Sequence, residues 1–151
     1  MSTAFSSSPS FDLSQIRFEI RALQSRLVEW RRSIHQRPEL GFKEVLTAQA
    51  IANYLQAWDI EHESEIATTG IVAIIKSDRP GPILAIRADM DALPIQELSE
   101  VSYRSQHDGV MHACGHDGHV AIALGTAYYL SQHRRDFQGT VKIIFQPAEE
   151  G

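Results

Sequence analysis

Three features of the 151-residue sequence predict an α/β layered domain: apolar residues stepping by three and four near its start, continuous apolar runs after Asp59, and turn-forming clusters between those runs. Ile16, Ile20, Leu23, Leu27, Trp30 and Ile34 form one stripe, which predicts a helix starting near Asp12 or Ser14. Pro38 stops it, because the residue before a proline disfavours helix. A second helix is predicted from about Lys43 to Trp58, with Ala48, Ile51, Leu55 and Trp58 facing inward. Ile60 to Ile66 alternates and reads as an edge strand, and Thr68-Thr69-Gly70 as a turn. Ile71 to Ile75 is unbroken and apolar, the pattern of a strand covered on both faces. Ile83 to Ala88 reads as another buried strand, after the turn chemistry of Asp78 to Pro82. Residues 89–113 are irregular and polar, and a loop of that length inside a compact domain points to function or to disorder. A third helix is predicted over about Gly115 to His133 and a last strand over Thr140 to Phe145, after which Gln146 to Gly151 leaves the sheet.

The composition excludes several functions. With 14 Lys+Arg against 19 Asp+Glu, the net charge of −5 disfavours a protein that neutralises nucleic-acid phosphates. No apolar run approaches the roughly 18–20 residues that cross a bilayer, so no membrane partner is expected. One cysteine forbids an internal disulfide. Met1 to Ser10 is serine-rich without the basic start or apolar core of a secretory signal. Residues 1–11 therefore read as a disordered lead-in, residues 12–151 as one domain, and the location as cytoplasmic.

Chemistry concentrates in three places. His112-Ala113-Cys114-Gly115-His116-Asp117-Gly118-His119 holds three of the seven histidines and the sole cysteine. Thiolate and imidazole are the usual ligands of Zn2+ and similar ions. On an extended segment Cys114 and His116 point the same way, and Gly115 lets the backbone bend so that both reach one centre. Asp117 and Asp89 are candidates to orient an imidazole from behind. The plainer reading is a buried cysteine beside surface histidines. Asp89-Met90-Asp91 follows a predicted strand, where carboxylates of α/β sheets point into a ligand crevice, although aspartates in loops often only form turns. Glu149-Glu150 also follows a predicted strand. Adjacent side chains there diverge, so one can bind metal while its neighbour holds a water; a solvated acidic tail is the alternative. His35 reads as packing or capping, Arg87 as an ion-pair partner for a nearby Asp, and His62, His107 and His133 as surface residues. Together the three segments describe a hydrolytic site built on one or two divalent ions, with a free Glu moving the proton.

Arg87-Ala88-Asp89-Met90-Asp91-Ala92-Leu93-Pro94, His112-Ala113-Cys114-Gly115-His116-Asp117 and Gln146-Pro147-Ala148-Glu149-Glu150-Gly151 resemble, in order, the three motifs of the M20 metallopeptidases. Trp30-Arg31-Arg32 to Phe42 is also similar to the amidohydrolase branch, which includes aminoacylase-like enzymes, hippurate hydrolases and auxin-conjugate hydrolases. The resemblance implies a three-layer sandwich around a mixed, mostly parallel central sheet. It implies hydrolysis of the amide bond of N-acyl amino acids with two divalent ions, Zn2+ or Mn2+. Cys114 would bridge the ions as a thiolate, His116 and Glu150 would be ligands, and Glu149 the general base. Asp89, Asp91 and Asp117 would support them. Family members are longer, with further His ligands and a lid domain through which the parent can form a homo-oligomer. The chain is thus expected to be the N-terminal part of the catalytic domain, binding metal weakly and inactive as an amidase by itself. Two alternatives remain at this level: a thiol amidase with Cys114 as nucleophile and His112 or His116 as base, and a non-catalytic metal-binding fragment.

Overall fold

The computed structural model describes residues 12–151. The lead-in expected over residues 1–11 lies outside them. Asp12 caps the first helix, α1 (Leu13–Ala22), its carboxylate accepting the Ser14 N–H at 2.9 Å. That side chain satisfies a main-chain donor that has no partner within the helix. The long helix expected up to Pro38 is interrupted at Leu23, and α2 (Gln24–His35) continues beyond it. The stripe runs through both, but only α2 is covered: Trp30, Ile34 and His35 are buried, whereas α1 buries none of its residues. Glu39, just past Pro38, accepts the Leu46 and Thr47 N–H groups at 3.0 and 2.8 Å, so it caps the next helix, α3 (Val45–Ala57). Thr47, Ile51 and Leu55 are its buried residues.

The sheet has strands β1 (Glu61–Ile66), β2 (Gly70–Lys76), β3 (Ile83–Asp89) and β4 (Thr140–Gln146), in the order β1-β2-β4-β3. The tight β1–β2 connection makes that pair antiparallel, and β2 pairs with β4 antiparallel as well. The crossover through α4 (His116–Gln132) makes β3 and β4 parallel. The sheet is mixed, as expected, but two of its three pairings are antiparallel, so it is not mostly parallel. Ile71, Ala73 and Ile75 of β2 and Val141, Ile143 and Phe145 of β4 are buried in one core with α2, α3 and α4. Val72, Ile74 and Ile144 turn to the other face and are half-buried. Helices among the described residues cover one face, so two of the three expected layers are present.

Two strands differ from their reading. β2 is central but buried on alternate residues, not on both faces. β3 is an outer strand: Ile83 and Leu84 are 69% and 59% exposed, and burial begins at Ala88. An apolar run reports which faces suit a core; it does not report how many neighbours the strand has. The parallel pair sets the position of the site. Asp89 is in register with Gln146, so β3 and β4 release their C-terminal ends side by side.

Replacing Phe145 by Ala should cost about 3–5 kcal/mol by urea denaturation. Replacing Ile83 by Ala should stay within about 0.5 kcal/mol, the effect of an exposed position. Equal losses would contradict the outer placement of β3.

Candidate metal centre

Three segments meet where β3 and β4 end: Asp89 to Asp91, the turn into α4, and Pro147 to Glu150. Gly115 sits ahead of α4 at φ 87°, a left-handed conformation open to glycine at little cost, and this bend presents Cys114 and His116 to the same side. His116 is 2% exposed. Its Nδ1 lies 2.9 Å from the main-chain oxygen of Asp91 and 3.2 Å from Asp91 Oδ1. Both neighbours are acceptors, which assigns the proton to Nδ1 and leaves a lone pair on Nε2. Nε2 faces Glu149 Oε2 at 3.9 Å and Glu150 Oε1 at 4.0 Å, too far to hydrogen-bond.

One donor atom each from Cys114, His116 and Glu150 lie within 4.8 Å of one another. Such spacing can be spanned by ligand bonds of about 2.0–2.3 Å to a shared ion. A soft thiolate, an imidazole with a free lone pair and a carboxylate form a donor set that suits a divalent transition metal. Cys114 is exposed, and the nearby Glu150 above all, then some loss of solvent and the charges of Glu150, Glu149 and Asp89, raise its pKa. That crowding of negative charge is what a divalent cation would relieve.

The supporting residues divide. Asp91, 2% exposed, faces His116 and also accepts the Glu150 N–H on Oδ2 at 2.9 Å. Asp89 Oδ1 accepts Arg87 Nε at 2.7 Å, the ion pair expected of that arginine, and Asp89 Oδ2 lies 3.5 Å from His119 Nδ1. Asp89, His116 and His119 form a second group within 4.8 Å. His119 was legible from its spacing, since residues three apart share a helix face. Arg87 also lies 3.6 Å from Glu149 Oε1. Asp117 turns away from the centre: its Oδ2 accepts Arg31 Nε at 2.9 Å and lies 2.7 Å from His35 Nδ1. The imidazole it orients is His35.

His35 is therefore more than packing. Its Nε2 lies 3.2 Å from Glu97 Oε1, and Glu97 in turn accepts Ser99 Oγ–H and the Ser105 N–H, both at 2.6 Å. Residues so far apart in sequence gave no signal of this network. His112, 4% exposed, has no hydrogen-bond partner on either ring nitrogen among the described residues. Burial is the main cause that lowers its pKa to about 4, so it is neutral at pH 7. Of the histidines read as surface residues, His107 is exposed, whereas His62 and His133 are half-buried, His62 with Nδ1 2.9 Å from the Ile60 main-chain oxygen and His133 3.0 Å from Glu19.

Comparison with known proteins places this geometry. The sequence profile of peptidase family M20/M25/M40 matches residues 85–151, the stretch that carries all three segments of the centre. An N-acetylcysteine deacetylase of Bacillus subtilis is 49% identical over 131 residues, covering 86% of this chain and 34% of that protein. Over residues 85–151 the chain is similar to the M20 peptidase family. An N-acyl-L-amino acid amidohydrolase of Geobacillus stearothermophilus is 44% identical over 136 residues, 90% of this chain and 37% of that protein. The crystal structure of a dinuclear metal binding M20 peptidase from Bacillus subtilis superposes with a TM-score of 0.82 at 49% identity, covering 86% of this chain and 37% of that one. The chain spans about a third of the length of the curated relatives it matches. No helix among the described residues is long and apolar enough to cross a membrane.

His112 makes stability pH-dependent in a defined window. Between pH 6.5 and about 4 the unfolded chain takes up a proton at this position that the folded chain refuses, so stability falls as pH drops through that range. Urea denaturation of wild type and His112→Asn should show a shallower fall in the variant; parallel profiles would contradict the assignment.

Proposed function

We propose that the chain supplies the metal-binding part of a binuclear, metal-dependent amidohydrolase that cleaves the amide bond of N-acyl amino acids. The observation that carries this reading is the convergence of Cys114, His116 and Glu150 within 4.8 Å, with Glu149 alongside. The names of the two curated relatives, a deacetylase and an amidohydrolase of N-acylated amino acids, support the substrate class. Cys114, His116 through Nε2 and Glu150 through a carboxylate oxygen would hold the metal. Zn2+ or Mn2+ suits a donor set of this mixture. A cation held there polarises the amide carbonyl and lowers the pKa of water.

The chain's own residues then move the proton. Glu149 takes it from the attacking water and delivers it to the leaving amine. Arg87 Nη2, 3.6 Å from Glu149 Oε1, helps to hold that carboxylate in place. Asp91 fixes the His116 tautomer. Asp89 and Asp117 serve as supports, the first through His119 and Arg87, the second through His35. A lone, reduced cysteine as ligand fits a cytoplasmic setting. Assembly of the parent as a homo-oligomer through a lid domain belongs to the same proposal.

The thiol-amidase alternative meets an obstacle. A nucleophilic cysteine needs its pKa lowered, usually by an imidazole or another cation. Here the neighbouring carboxylates, Glu150 above all and then Glu149 and Asp89, raise it. His112 is buried and held neutral, so it supplies no positive charge.

With part of the donor set, the 151 residues should bind a divalent cation yet turn over no N-acyl amino acid by themselves. Calorimetric titration with Zn2+ should find affinity lowered about tenfold or more by Cys114→Ser and by Glu150→Gln. Glu149→Gln should stay within about threefold, while in an enzyme of the relatives' length it should lower kcat by roughly 10^2–10^4. Unchanged Zn2+ affinity in C114S and E150Q would contradict the proposal.

A further inference from the structure

Glu44 is a fully buried carboxylate at the start of α3, 0% exposed and remote in sequence from the centre. Both of its oxygens are engaged. Oε2 accepts the Thr69 hydroxyl at 2.6 Å, and Oε1 accepts the Ala148 N–H at 2.9 Å. Such charge-assisted bonds inside a protein are strong, and a buried carboxylate is costly without them.

The residue it holds is itself unusual. Ala148 has φ 51°, a left-handed conformation that a Cβ disfavours. Gly41 packs against it: a Cβ on Gly41 would lie 3.0 Å from Ala148 Cβ and 3.1 Å from Ala148 Cα. Immediately afterwards come Glu149 and Glu150, and the Glu150 N–H is held by Asp91 Oδ2 at 2.9 Å. The acidic pair therefore hangs between two buried carboxylates, Glu44 before it and Asp91 after it. The left-handed residue sets the direction in which the chain leaves β4, and so which carboxylates face His116. Strain of this kind persists where the surroundings over-determine it.

We propose that Glu44 is a positioning residue: its buried carboxylate locks the Pro147–Ala148 turn in the left-handed conformation that aims Glu149 and Glu150 at His116. The functional importance of this aim rests on the proposed roles of those two glutamates; the aim itself can be read separately.

The test uses 15N-labelled, metal-free chain, followed by Co2+ titration in which thiolate-to-cobalt absorption reports Cys114. In wild type the Ala148 amide should exchange slowly. Glu44→Gln keeps an acceptor for Ala148 and should leave the Glu149 and Glu150 amide shifts in place, with Co2+ affinity within about threefold. Glu44→Met has similar length and no such acceptor. It should move those shifts and weaken Co2+ binding by about tenfold or more. Thr69→Val removes only the other bond and should preserve both readouts, whereas a merely structural Glu44 would make T69V and E44M differ in melting temperature alone. An unprotected Ala148 amide in wild type, an E44Q as impaired as E44M, or an E44M with unmoved shifts and affinity would overturn the proposal. If E44M does not fold, the wild-type exchange rate and E44Q decide. A wild type that binds no Co2+ while E44M still moves the two amides would overturn the metal reading and sustain the positioning role.

Discussion

Asp91 is where three chain segments become one centre. Its main-chain oxygen and Oδ1 face His116 Nδ1, and its Oδ2 takes the Glu150 N–H. The strand that leads to it, the helix that follows the Cys/His motif and the turn that follows β4 are thus tied to a single buried residue, the helix through its main chain and the turn through its side chain. Low local dielectric strengthens each of these bonds and makes any one of them expensive to leave unmade. The main-chain oxygen at position 91, with Oδ1 beside it, keeps the His116 proton on Nδ1 and leaves the lone pair on Nε2 free to bind. The centre depends on this junction more than on any of its candidate ligands.

The sheet supplies the frame. A parallel β3–β4 pair, in register from Ile83 and Thr140 to Asp89 and Gln146, delivers two acidic segments at the same end. Two left-handed residues then steer the chain there, Gly115 ahead of α4 and Ala148 after β4. Glycine adopts that conformation at little cost; alanine needs outside support, which Glu44 and Gly41 provide. A separate network, buried at Asp117, His35 and Glu97 and capped by the exposed Arg31, braces the junction of α2 with the start of α4. Asp117 adjoins His116 in sequence, so the same turn of helix faces the centre with one side chain and the support with the next.

Much of this was legible from residue order. The helical stripe, the strand runs and the helix start near Asp12 follow from periodicity. Cys114, Gly115 and His116 announced a centre because thiol and imidazole are scarce and here lie two apart. Other features were out of reach for physical reasons. An apolar run cannot tell β3, with one neighbour, from β2, with two. Leu23 breaks a stripe whose spacing continues through it. His35, Glu97 and Glu44 became polar anchors through contacts spanning 62 to 104 residues, and no local pattern marks a carboxylate that will be buried. Asp117 was read as a support, but which imidazole it holds was decided by tertiary packing.

The central claim is that Cys114, His116 and Glu150 share one ion. X-ray absorption at the zinc edge of the Zn2+-loaded chain measures this most directly. The account predicts a sulfur scatterer at about 2.3 Å together with nitrogen and oxygen scatterers at about 2.0–2.2 Å, the sulfur disappearing in Cys114→Ser and the light-atom shell thinning in Glu150→Gln. A spectrum of nitrogen and oxygen alone in the wild type would contradict it.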